Sequence, residues 1–228
     1  MTPHPPFDDV LQAYRSAAKR RDTTGATPRG SEASWDYCYS WFNKDRRPSS
    51  DDRRDCLELG YYLANWGMFR GSGSFMTTNL AALLPALPVI NAHHDAMQRV
   101  DLTGTEQEWS KLKSTYDALE SALPGNPSTT LVTKVMLGVW GCMPAMDTYV
   151  LAGIRQLLDL AGQRGLTTFN RRFYNYLSEF RHAHAGEVDR YREAPLATFG
   201  TSAVQRTQIP AGKVLDMYFF QLGQDRPS

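Results

Sequence analysis

Apolar positions recur at helical spacing along most of this chain, and no stretch alternates in the manner of a strand. Phe7 to Arg21 places Val10, Leu11 and Tyr14 on one face, and DTTGATPRGSEAS then reads as a loop. Trp35 to Phe42 is dense in aromatics, the composition of a core segment. After NKDRRPSS, Ser49 or Ser50 is a natural N-cap, and Asp51 and Asp52 suit the positive end of a helix. Cys56, Leu59, Leu63 and Trp66 form its buried stripe, and the helix is expected to stop near Arg70, before Gly71-Ser72-Gly73-Ser74. A second apolar helix is expected from about Ser74 to Leu84, ended by Pro85 and Pro88.

Further on, residues 106–122 form an amphipathic helix with Trp109, Leu112, Tyr116 and Leu119 inward, stopped by Leu123-Pro124-Gly125-Asn126-Pro127. Thr129 to Trp140 is an almost wholly apolar helix ended by Gly141. Asp147 is placed to cap the next one, which runs to about Gln163 with Val150, Leu151, Ile154, Leu157 and Leu158 buried. Thr167 to His182 and Lys213 to Leu222 complete the pattern, with Arg171 and Arg172 on the exposed side of the former. The expectation is an all-α fold. Residues 1–34 form a partly ordered N-terminal segment. Residues 35–228 form a single helical domain, with two lobes left open and a site near 129–150.

Composition narrows this picture rather than changing it. With 228 residues, 42% hydrophobic and 21% charged, the chain can bury a sizeable core. No apolar run reaches the roughly 18 residues a membrane span needs, and the first ten residues lack the pattern of a secretory signal. The three cysteines are widely spaced, which suits reduced thiols in a cytoplasm and leaves no zinc or iron–sulfur quartet. His93-His94-Asp95 lacks a partner at chelating spacing, so neither a metal nor a cofactor is expected. A net charge of +1 means that any nucleic-acid-binding face would be a local patch. Candidates for meeting phosphates are Arg70 and Ser72, where the Gly-Ser run could present backbone N–H groups at a helix start, and the Arg171–Arg172 pair.

Phosphate-binding, dinucleotide-binding, nucleophile-elbow and zinc-protease motifs are all missing. What stands out is Lys134, alone in an apolar helix, and Asp147 beyond the turn. A buried amine stripped of its proton is the nucleophile of Schiff-base chemistry. The same residues also allow a lysine snorkelling to solvent and an aspartate that only caps a helix.

Thr133-Lys134, followed by Pro144-Ala145-Met146-Asp147-Thr148-x-Val150, resembles the core of the helix-hairpin-helix DNA glycosylase superfamily, particularly its short bacterial members. That resemblance implies a two-lobed helical fold, double-stranded DNA as partner, and excision of a damaged or modified base, with or without lyase activity. It further implies that Lys134 attacks the sugar C1′ and that Asp147 activates it. The sequence departs from the family pattern in two places. Leu123-Pro124-Gly125 lies nine residues upstream of Lys134 without the second hairpin glycine, and the four-cysteine cluster of one branch is absent. Two other readings remain open: a non-catalytic helical module binding nucleic acid or protein, and a small-molecule enzyme forming an imine on the same lysine.

Overall fold

The computed structural model describes residues 5–20, 30–43, 51–69, 79–160, 166–196 and 205–225. Ten α-helices occur among them, and the fold is all-α. In chain order these are α1 (Phe7–Arg20), α2 (Gly30–Asn43), α3 (Asp52–Asn65), α4 (Ala86–Met97) and α5 (Glu106–Ala122), then α6 (Thr129–Trp140), α7 (Thr148–Leu160), α8 (Arg171–Ala183), α9 (Ala185–Arg192) and α10 (Ala211–Gln224). One short antiparallel ribbon, β1 (Glu193–Leu196) with β2 (Gln205–Gln208), joins α9 to α10; the sequence pattern did not announce it.

One contiguous apolar core draws residues from all ten helices. The helix expected within residues 1–34 belongs to it: Phe7, Val10, Leu11 and Tyr14 are buried, α1 packs on α10, and Phe7 stacks on Tyr218. α2 packs against α3 and α6, α4 against α5, and α7 against α10. The last contact is unusually close because glycines remove the side chains between the backbones. A Cβ on Gly153 would fall 2.1 Å from the Phe219 carbonyl oxygen, and one on Gly223 would fall 1.9 Å from that of Tyr149.

Four boundaries differ from the sequence expectation, each for a local reason. Ser49 and Ser50 lie outside the described residues, and Asp51 caps α3 by accepting from the Arg54 N–H. α3 ends at Asn65, with the turn closed by Gly67, rather than near Arg70. Gly67 takes a left-handed φ of 81°, its N–H reaches the Ala64 carbonyl, and the Met68 N–H reaches that of Leu63, the paired bonds of a Schellman turn. Nor do Pro85 and Pro88 end a helix. After a 3-10 turn at Leu80–Leu83, Pro85 sits at the cap position of α4 and Pro88 in its first turn, where no intrahelical N–H is needed. The remainder of the expected 74–84 helix, residues 74–78, lies outside the described residues. α8 begins at Arg171 rather than Thr167, because Asn170 caps it through the Phe173 N–H. No helix among the described residues is long and apolar enough to cross a membrane.

Candidate active site

α6 spans the limits its sequence suggests. Ser128 caps it by accepting from the Leu131 N–H, and Gly141 ends it at a left-handed φ of 61°. Every residue from Leu131 to Trp140 is buried, Lys134 included at 2% exposure. The turn that follows is held by three side chains. Thr133 Oγ1 accepts from the Met146 N–H at 2.9 Å, and Thr130 Oγ1 donates to the Met146 carbonyl at 2.8 Å. From α10, Asp216 Oδ1 accepts from the Ala145 N–H at 3.1 Å.

Asp147 leaves this turn with both carboxylate oxygens engaged. Oδ1 accepts from the Val150 N–H at 2.9 Å, capping α7, and Oδ2 accepts from Lys134 Nζ at 2.9 Å. The Lys134 side chain is 3% exposed and that of Asp147 13%, so the ammonium lies inside and the carboxylate at the rim. Lys134 therefore does not snorkel to solvent. Its charge is met by Asp147, and by the face of Trp66, whose ring centroid lies 4.9 Å from Nζ.

A second buried pair shares this indole. Lys213 Nζ lies 3.0 Å from Asp216 Oδ2, with both side chains 4% exposed. The same ammonium is 5.5 Å from the Trp66 ring centroid and 4.9 Å from that of Trp35. Tyr62, one turn before Trp66, packs against α6 where Gly138 leaves room, since a Cβ there would meet its ring at 2.4 Å. Its hydroxyl is buried without a hydrogen-bond partner among the described residues. Burial first, and then the nearby carboxylates of Asp216 and Asp147, push the phenol well above its ordinary range. Phe220 meets Trp66 edge-on at 5.4 Å and Tyr149 at 5.3 Å, so an aromatic rim extends from the indole to half-exposed Tyr149.

Sequence reasoning brought forward Lys134 and Asp147, which meet. It passed over Lys213, Asp216 and Tyr62. The signal for the first two was available: charges at i and i+3 within the apolar run KVLDMYFF, the same anomaly that singled out Lys134.

The residues expected to meet phosphates fare differently. Arg70 and Ser72 lie outside the described residues. Arg171 is engaged by Glu106 and by Asn175 and lies over the Tyr174 ring, whereas Arg172 is exposed in the first turn of α8. His93 pairs with Thr115, and His94 Nδ1 accepts from the Trp140 indole N–H at 3.1 Å. No cluster of three metal-ligating side chains occurs among the described residues.

Chemically, the site offers a primary amine within proton-transfer distance of a carboxylate that opens toward solvent. The amine end of that pair is buried against the Trp66 face, and the carboxylate end lies at the rim. The chain matches no family model, no curated protein and no solved structure.

Proposed function

We propose that the protein excises a damaged or modified base from double-stranded DNA, with Lys134 as nucleophile and Asp147 as its proton acceptor. The observation that carries this reading is the 2.9 Å contact between a buried amine and a carboxylate at the rim of the core. Asp147 takes a proton from the Lys134 ammonium, and the freed lone pair attacks C1′. The C1′–N bond breaks as the base leaves with its electron pair and takes up the proton held by Asp147, which returns that group to a carboxylate. A second amine proton passes to O4′ as the C1′–O4′ bond opens, giving the protonated Schiff base and a free 4′-hydroxyl. Asp147 faces the oxocarbenium-like charge that builds as the base departs. A flipped base requires an apolar, stacking wall, which the Trp66–Phe220–Tyr149 rim can supply.

One observation favours a second reading. Lys134 is 2% exposed, so a sugar reaches it only after Trp66 or Asp147 moves. In that reading the pair is structural, and the protein is a non-catalytic helical module that binds nucleic acid or another protein.

Borohydride trapping separates the two readings. The pure protein is incubated with duplex DNA bearing an abasic site or 8-oxoguanine, beside Lys134→Gln. A covalent cross-link formed by the wild type and lost in the variant is the expected result. No cross-link above the Lys134→Gln background on either duplex would overturn the Schiff-base reading and favour the module.

A further inference from the structure

We infer that Lys213 and Asp216 are the positioning pair of the same site: Asp216 holds the turn that presents Asp147, and Lys213 compensates the charge that this requires. Insofar as Asp147 is catalytic, this rests on the proposed excision activity; the structural relation does not.

A buried ion pair is weak evidence for stability, because desolvating two charges offsets most of their attraction. An apolar pair would suit the KVLDMYFF run of α10 better on burial grounds alone. What the carboxylate does, and an apolar side chain would not, is accept the Ala145 N–H. That peptide lies two residues before Asp147, and the Asp147 N–H in turn bonds the Ala145 carbonyl at 2.9 Å. Asp216 Oδ1 thus holds the N–H of Ala145, the residue whose carbonyl bonds the Asp147 N–H. Its other oxygen is taken by Lys213, which answers the negative charge of a carboxylate buried from solvent.

The approach of α10 to this turn is built into the backbone. A Cβ on Gly212 would fall 2.4 Å from the Met143 nitrogen and 2.5 Å from the Gly141 carbonyl oxygen, so the first turn of α10 seats directly on the segment that Asp216 ties down. Gly153 and Gly223 press the same helix onto α7, which Asp147 caps. Asp216 therefore acts on Asp147 through the turn rather than by contact, and the shared Trp66 ring joins the two pairs on their apolar side.

The test compares two double variants of the full chain. K213M/D216N removes both charges but keeps an oxygen for the Ala145 N–H; K213M/D216L removes that acceptor as well. Three readouts are followed: amide exchange at Ala145, the ¹⁵N-detected Nζ signal of Lys134, and borohydride trapping. K213M/D216L is expected to lose about tenfold in Ala145 protection, the factor for one modest hydrogen bond. Its Lys134 signal broadens and its trapping rate drops, while K213M/D216N restores all three. K213M/D216A, which cannot overpack, serves the same comparison if the leucine variant does not fold. Unchanged Ala145 protection and an unchanged Lys134 signal in a folded acceptor-less variant would overturn the positioning role. Absence of trapping by the wild type would instead remove the excision reading, and the two spectroscopic readouts would still decide this one.

Discussion

Lys134 and Asp147, thirteen residues apart, meet with Nζ 2.9 Å from Oδ2, the amine in the core and the carboxylate at its rim. Asp147 carries two duties at once, as counter-ion to Lys134 and as cap of α7. Asp147→Ala should therefore cost about 3–5 kcal/mol by stranding a buried charge, and about 1 kcal/mol more by removing the cap. K134M/D147N keeps a capping oxygen and strands nothing, so it should lie within about 1 kcal/mol of wild type. Urea denaturation of the three proteins checks this. A loss in Asp147→Ala no larger than the cap alone would mean that Lys134 has another partner.

Tyr62 gives a prediction of opposite sign. Its hydroxyl is buried and makes no hydrogen bond among the described residues, so Tyr62→Phe removes a desolvated polar group without breaking a contact. Thermal unfolding should show a neutral change or a gain of up to about 1 kcal/mol. A clear fall in Tm would reveal a bound water or ligand at that oxygen.

Gly138 lies one turn beyond Lys134 and faces the Tyr62 ring. Gly138→Ala drives a methyl group to 2.4 Å from that ring, and both Tyr62 and the helix carrying Trp66 must shift. A loss of about 1–3 kcal/mol is expected, the usual range for overpacking a core. It should exceed the helix-propensity gain of about 1 kcal/mol that alanine brings over glycine. A variant more stable than wild type in calorimetry would show that the α3–α6 contact yields easily.

His94 should make stability fall in mild acid. Its burial lowers the pKa from the ordinary 6.5, against a smaller opposing effect of Asp95, and Nδ1 already accepts from Trp140. Above about pH 6.5 both folded and unfolded chains hold a neutral imidazole, and the group adds no pH dependence. As pH falls below that value the unfolded chain takes up the proton first, so stability declines until the lowered folded value is passed. The difference in unfolding free energy between wild type and His94→Leu, measured from pH 7.5 to 5, isolates this slope. The leucine variant also strands the Trp140 N–H, a constant offset of about 1–3 kcal/mol. A difference that does not vary with pH would rule out the linkage.

How much of this was legible in the sequence depended on how local each cause was. The end of α6 followed from Gly141, and the capping role of Asp147 from its place ahead of an apolar stripe; the Ser128 cap emerged only in the structure. Local rules failed where two local signals competed. Pro85 and Pro88 read as a stop although proline is equally at home in a first turn, and Gly67 ended α3 before the more conspicuous Gly-Ser run. The ribbon of EAPL and QRTQ has no apolar alternation to betray it. Convergence was the least legible part. That Lys134 and Lys213, on α6 and α10, face one indole at the C-terminal cap of α3 is a property of packing alone, and no periodicity along any one helix encodes it.

The glycine-mediated seating of α10 on α7 and on the turn before it has a kinetic consequence. The contacts that complete the site join residues 62–66, 134–147 and 213–216, so the chain must close long loops before any of them is rewarded. A folding intermediate lacking the docked α10 would expose the Ala145 N–H and leave the indole with one cation instead of two. The paired-charge centre is therefore complete only once α3, α6 and α10 have all docked, so its full set of contacts marks closure of that helical assembly.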